Sequence, residues 1–160
     1  MMFNIGDKIV YPMHGAGVIE AIEEKEILGK KRKYYIMKMP LGDMQVMIPL
    51  DHIEEVGIRS IIGLAEVEQV FAVLAADTTK MPQNWNRRYR ANMDLIKGGD
   101  IYAVAEVVRN LLLRDREKGL STGERKMLNN AKQILVSEVV LSTDKEEQEV
   151  LDWIENVVQE

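Results

Sequence analysis

The 160-residue chain has no cysteine, two phenylalanines, four prolines and two histidines. Without cysteine it can build neither a disulfide nor a thiolate metal site, and a reducing cytoplasm is the expected location. His14 and His52 stand apart, with no nucleophile motif or carboxylate pair beside either, so the commonest general base lacks the partners it needs. No grouping of His, Asp and Glu shows ligand spacing, and neither a metal nor a cofactor is expected. Long hydrophobic runs are missing too. Nothing approaches the roughly 20 apolar residues of a membrane span. Asp7 and Lys8 interrupt the first apolar residues where a signal peptide would need them continuous. His14-Gly15-Ala16-Gly17 lacks the lysine and following helix of a phosphate-binding loop, and reads as a tight turn in which glycine tolerates positive φ. These absences argue against an enzyme, a small-molecule substrate and a membrane partner.

What remains is ordinary in amount and uneven in placement. The chain is 46% hydrophobic and 29% charged with a net charge of −5, as expected of a globular protein. Residues 1–79 carry 8 Lys/Arg against 12 Asp/Glu, residues 80–132 carry 12 against 6, and residues 133–160 carry 1 against 8. A basic middle between acidic flanks suits a localised anionic partner, although long helices also carry solvated charges of both signs.

Two hydrophobic periods divide the chain near residue 60. Lys8–Pro12, Gly17–Ile27, Lys33–Met39 and Met44–Ile48 read as strands, with Val18, Glu20 and Ile22 alternating against Ile19, Ala21 and Glu23. Leu28-Gly29-Lys30-Lys31 and Pro40-Leu41-Gly42-Asp43 read as the turns between them. Four or five short strands in about 55 residues predict a small, strongly bent sheet or barrel of the SH3 or Tudor kind. From about residue 64 the spacing becomes helical. Leu64, Val67, Val70, Phe71 and Leu74 follow the spacing of one buried stripe. Ile101, Val104, Ala105, Val108 and Leu111 form another, with Asp100 as cap and Gly119 as stop. Ser121-Thr122-Gly123-Glu124 is a capping-box pattern opening a helix with Met127, Leu128, Ala131, Ile134 and Leu135 inward. Thr143-Asp144-Lys145-Glu146 repeats the pattern before a last acidic helix with Val150, Trp153, Ile154 and Val157. The fold class is α+β in two domains: residues 1–60 a small β-barrel, residues 61–160 a bundle of about five helices.

Within Pro82–Asn92, three arginines and two aromatics sit among amides. On a helix over 84–97, Trp85, Tyr89, Met93 and Ile96 share a stripe, which would make Trp85 a core residue. Arg87 and Arg90 point away from that stripe. Alternatively Trp85 stands at the exposed helix end, where free backbone N–H groups attract phosphate and a ring can act as a wedge. Arg125 and Lys126 lie in the first turn of the Ser121 helix, where the helix dipole disfavours cations, and Asn129 and Lys132 continue the Arg125 face. Arg114, Arg116 and Lys118 end the preceding helix, where the dipole welcomes them. In the strand region Met47 lies opposite Val46 and Ile48 in facing, an exposed methionine on a short strand whose open edge could pair with another chain.

With Phe3-x-x-Gly6-Asp7-x-x-Val10-Tyr11-Pro12-x-His14-Gly15, Asn84-Trp85-x-Arg87-Arg88-Tyr89, Ala105-Glu106-Val107-Val108-Arg109 and Leu120-Ser121-x-Gly123-Glu124 in this order, the chain resembles the CarD/CdnL family of bacterial transcription regulators over essentially its whole length. The resemblance implies a Tudor-like N-terminal domain, similar to that of transcription-repair coupling factors, which binds the RNA polymerase β subunit. It also implies a helical domain on promoter DNA at the upstream edge of the bubble, stabilising the open complex. By position, Trp85 matches the family's minor-groove wedge, and Arg87, Arg90 and Arg125 match basic DNA-contacting positions, with Lys126 beside them. Lys25 matches a polymerase-facing position. Met47 stands where an arginine is expected in actinobacterial members, so the detailed polymerase contact departs from that pattern. A protein–protein adaptor, with the basic helical surface meeting an acidic partner, is the alternative.

Overall fold

The computed structural model describes residues 3–42 and 44–158, so Asp43 of the second expected turn lies outside the described residues. Strands β1 (Lys8–Tyr11), β2 (Gly15–Ile27), β3 (Lys30–Lys38), β4 (Gln45–Pro49) and β5 (Arg59–Ser60) form one antiparallel sheet in the order β4-β3-β2-β1-β5. Phe3, Ile9, Ile19, Tyr35, Met37, Ile48 and Ile53 make its core, Ile53 coming from the short helix α1 (Ile53–Val56). The register jumps from Ile19↔Met37 to Ala21↔Ile36, leaving Glu20 as an extra residue. That bulge bends β2 and puts Ile22, paired with Tyr35, on the same face as Ile19. The simple alternation expected from the sequence fails there, because a bulge shifts the phase by one. The β2–β3 turn is also tighter than expected. Leu28 and Gly29 alone turn the chain, with φ of 54° and 78°, so Lys30 and Lys31 belong to β3.

Helices α2 (Leu64–Ala75), α3 (Trp85–Lys97), α4 (Ile101–Lys118), α5 (Thr122–Thr143) and α6 (Glu147–Val157) share a second core. The expected stripes of α4 and α5 are buried, Val150 and Ile154 anchor α6, and of the α2 stripe Val67, Val70 and Leu74 are buried whereas Leu64 is exposed. Asp100 caps α4 by accepting from Tyr102 N (2.9 Å), and Gly119 ends it at φ 80°. Thr143 departs from expectation. Instead of capping α6 it closes α5, donating its hydroxyl to Val139 O (2.7 Å), and Asp144 turns the chain at φ 58°. A threonine hydroxyl bonds the preceding turn of a helix as readily as the following one, so the sequence pattern does not distinguish the two. Glu146 then opens α6 without a side-chain cap.

The C-terminal half of α5 is the surface on which the sheet sits. Ala16 N donates to Ser137 Oγ (2.8 Å), and a Cβ on Gly15 would lie 2.7 Å from the same hydroxyl. Gly15 is therefore required twice, by its φ of 111° and by this close approach. Arg59 forks onto buried Glu138 at 2.7 and 2.8 Å, and the same carboxylate accepts from Ile62 N (2.9 Å). Among the described residues no helix is long and apolar enough to cross a membrane.

Candidate nucleic-acid interface

The N-termini of α3 and α5 meet at one end of the bundle. Asn84 caps α3 by accepting from Arg87 N (3.1 Å), and Ser121 caps α5 by accepting from Glu124 N (3.2 Å). Trp85 bridges the two ends. Its Nε1–H donates to Ser121 Oγ (2.9 Å), its ring stacks on Tyr89 at 5.0 Å, and it lies over Gly123, where a Cβ would come within 3.3 Å of Cζ2. Even so the residue is 40% exposed. Arg88, Asn92 and Ile96, three, seven and eleven positions further on, are the buried residues of α3. By helical spacing Trp85 thus lies on the inward face, but at a level where the bundle has ended.

Arg88 is the residue that sequence reasoning missed. It is 4% exposed and pairs with Glu124, itself 2% exposed, through Nε–Oε2 at 2.6 Å and Nη2–Oε1 at 3.2 Å. The third guanidinium nitrogen, Nη1, donates to Gln83 O (2.9 Å), fixing the backbone that leads into Trp85. The Glu124 carboxylate therefore serves Arg88 rather than closing the expected capping box; only the hydroxyl half of that box forms. Burial pushes the Glu124 carboxyl up, but the hydrogen bonds and charge of Arg88, with Arg114 and Ser121, outweigh it and hold the pKa below its ordinary value. The spacing of 36 residues between the partners left no signal in any local window.

The expected basic residues divide into two groups. Arg87, Arg90 and Lys126 are exposed and make no ion pair among the described residues. Arg125 is half exposed but paired with Asp115 at 2.8 Å, which explains structurally how a cation is tolerated in the first turn of α5. Lys132 is drawn to Glu155 on α6 (2.8 Å), and Arg116 donates to Val158 O (2.6 Å) and to Glu155. The Lys132 hydrogen bond, with Arg116, holds the Glu155 carboxyl below its usual range despite burial. Lys132 and Arg116 thus tie helices together.

At the other end of the molecule, Lys25 pairs with Arg32 in the sheet and Met47 with Ile36. Arg32 and Ile36 share a face of β3, so Lys25 and Met47 lie on one outer face, about 13 Å apart along the strands. Lys25 reaches Glu23 at 3.6 Å, and Met47 is 39% exposed on β4, an edge strand. His14 stacks on Tyr11 at 4.2 Å, and burial lowers its pKa. No cluster of His, Cys, Asp and Glu able to hold a metal occurs among the described residues.

Comparison with known proteins gives two matches to family models: the CarD-like/TRCF RID domain over residues 3–62 and the CarD C-terminal domain over residues 69–155. The chain is also 45% identical over 138 residues to "Putative transcription factor YdeB" of Bacillus subtilis (strain 168), an alignment covering 86% of this chain and 90% of that protein.

Proposed function

The chain belongs to the CarD family of transcription factors, and from that premise we propose that it bridges RNA polymerase and promoter DNA without catalysing a reaction. Residues 1–60 bind the polymerase β subunit through the outer face carrying Lys25 and Met47. Residues 61–160 meet the upstream edge of the bubble, with Trp85 in the minor groove and Arg87, Arg90, Arg125 and Lys126 on phosphates. The observation that carries this reading is the half-open Trp85 ring held between two helix N-termini, with unpaired cations beside it. Aligned N–H groups and guanidinium charge attract phosphate, and an oriented aromatic enters a base step most easily where stacking is already broken. Because a ligand shifts an equilibrium only by its differential affinity, such a wedge stabilises the open complex over the closed one.

The phosphate contacts are tested by salt dependence. Arg87→Ala, Arg90→Ala and Lys126→Ala should each weaken binding to forked promoter DNA and make the salt slope shallower by about 0.9. Arg125→Ala should change it less, since Asp115 already neutralises that guanidinium. Stability should stay within about 0.5 kcal/mol of the parent. Unchanged slopes in all four would remove this surface and favour the adaptor reading.

The polymerase contact is tested on the full chain, because the sheet leans on α5 through Ala16 and Arg59. Lys25→Glu should weaken binding to the isolated polymerase β lobe by about tenfold, mainly through association rate. Equal affinity of variant and parent would contradict the assignment.

A further inference from the structure

Helix α2 is more apolar than a single buried face requires. Its only charges are Glu66 and Glu68, and Val67, Val70 and Leu74 already fill the core. Leu64, Val67, Glu68 and Phe71 continue along a second face by three-, four- and seven-residue steps. That face and Trp153 with Val157 of α6 line a groove of about 510 Å³. Leu64 is 65% exposed at its lip, Phe71 meets Trp153 edge-on at 5.2 Å, and Lys145 lies over the Trp153 ring at 4.6 Å. Leu64, Val67, Glu68 and Val157 fall outside both matched family segments. The groove is also remote from Trp85. Trp85 rests on the first turn of α5 and Thr143 of the groove ends that helix, about 30 Å away at 1.5 Å per residue.

We propose that this groove is a docking site for a basic amphipathic helix of a partner protein. Charge decides the occupant. Among the described residues lining the groove the one cation is Lys145, and Glu149 neutralises it. The α6 side adds Glu146 and Asp152, next in sequence to Lys145 and Trp153, and Glu68 lines the α2 side, so the apolar floor has an acidic surround. An acidic surround repels nucleic acid and anionic lipid and favours lysine and arginine flanking an apolar stripe. Helices α2 and α6, of 12 and 11 residues, offer a seat for about three turns of helix. Leu64 and Trp153 are the anchoring contacts, and the site is independent of the polymerase and DNA contacts.

The test uses the full chain, two-dimensional NMR and three synthetic 12-residue peptides: one with Leu at helical i, i+3/4, i+7 spacing and Lys elsewhere, one with the same leucines and Glu elsewhere, and one with Lys and Ser only. Expected is saturable movement of the Trp153 indole resonance by the Leu/Lys peptide, with the Trp85 indole unmoved. The other two peptides should bind at least about tenfold more weakly, the advantage over the Leu/Glu peptide shrinking with salt. Leu64→Gln, at an exposed position, should weaken the Leu/Lys peptide by about tenfold without changing the fold. The proposal is overturned if Trp153 does not respond, if the Lys/Ser peptide binds equally well, or if Leu64→Gln has no effect. Leu64-dependent dimerisation in sedimentation would also overturn it, since a second copy would then be the occupant.

Discussion

Arg88→Met should cost about 3–5 kcal/mol of stability, the largest loss of any single change at the end that we propose meets DNA. The substitution keeps the aliphatic bulk but leaves Glu124 buried, ionised and without its partner, and it frees the Gln83 carbonyl. Removing both charges, as Arg88→Met with Glu124→Leu, should recover most of the stability, because two apolar side chains need no solvation. Urea unfolding of the two single variants and the double variant measures this directly. Single variants within about 1 kcal/mol of the parent would contradict the role of the pair. The same pair gives a pH dependence. The folded pKa of Glu124 is depressed, so its stabilisation is fully present above the unfolded carboxyl value and is lost as pH falls through the folded one. The parent should therefore lose this contribution in acid, and the double variant should not. The double variant also separates folding from function: it should melt normally yet hold the Trp85 end less rigidly.

Much of the architecture was legible because it is written in local periods. The stripes of α4 and α5, the Asp100 cap and the Gly119 stop depend on neighbours within one or two turns, and the folded chain uses them as read. Three features were not legible for a shared reason: each is decided by residues distant in sequence. The Arg88–Glu124 and Arg125–Asp115 pairs join different helices, so a run of arginines could not be divided into buried, paired and free members. Gly15 reads as a turn residue, while its approach to Ser137 appears only when β2 meets α5. Trp85 was ambiguous because periodicity reports which way a side chain points but not whether anything lies there to cover it. Its stripe does point inward at Ile96, and opens at Trp85 only because the bundle has ended.

Trp85→Ala should separate those two readings of the residue. A core tryptophan costs roughly 3–5 kcal/mol on truncation. Here the losses are one hydrogen bond to Ser121, the stack on Tyr89 and the contact over Gly123, with 40% of the residue already in solvent. A cost of about 1–2 kcal/mol is expected, or a melting temperature lower by about 3–6 °C. The functional loss should be far larger: most of the stabilisation of the open promoter complex should disappear, while binding to the polymerase β lobe is kept. Trp85→Phe should retain the stack and recover part of the effect, lacking only the N–H donor that orients the ring. A collapse in melting temperature, with normal open-complex lifetimes in the folded fraction, would return Trp85 to the core.

In the function we propose, the chain, held on polymerase by its sheet, places the Trp85 end at the upstream edge of the transcription bubble. Hydroxyl-radical footprinting of a polymerase–promoter open complex, with parent, Trp85→Ala or no added protein, tests it most directly. Expected is a short additional minor-groove protection at the upstream bubble edge with the parent, reduced with Trp85→Ala although the variant remains bound to polymerase. Identical footprints with and without the parent, or added protection only downstream, would contradict it.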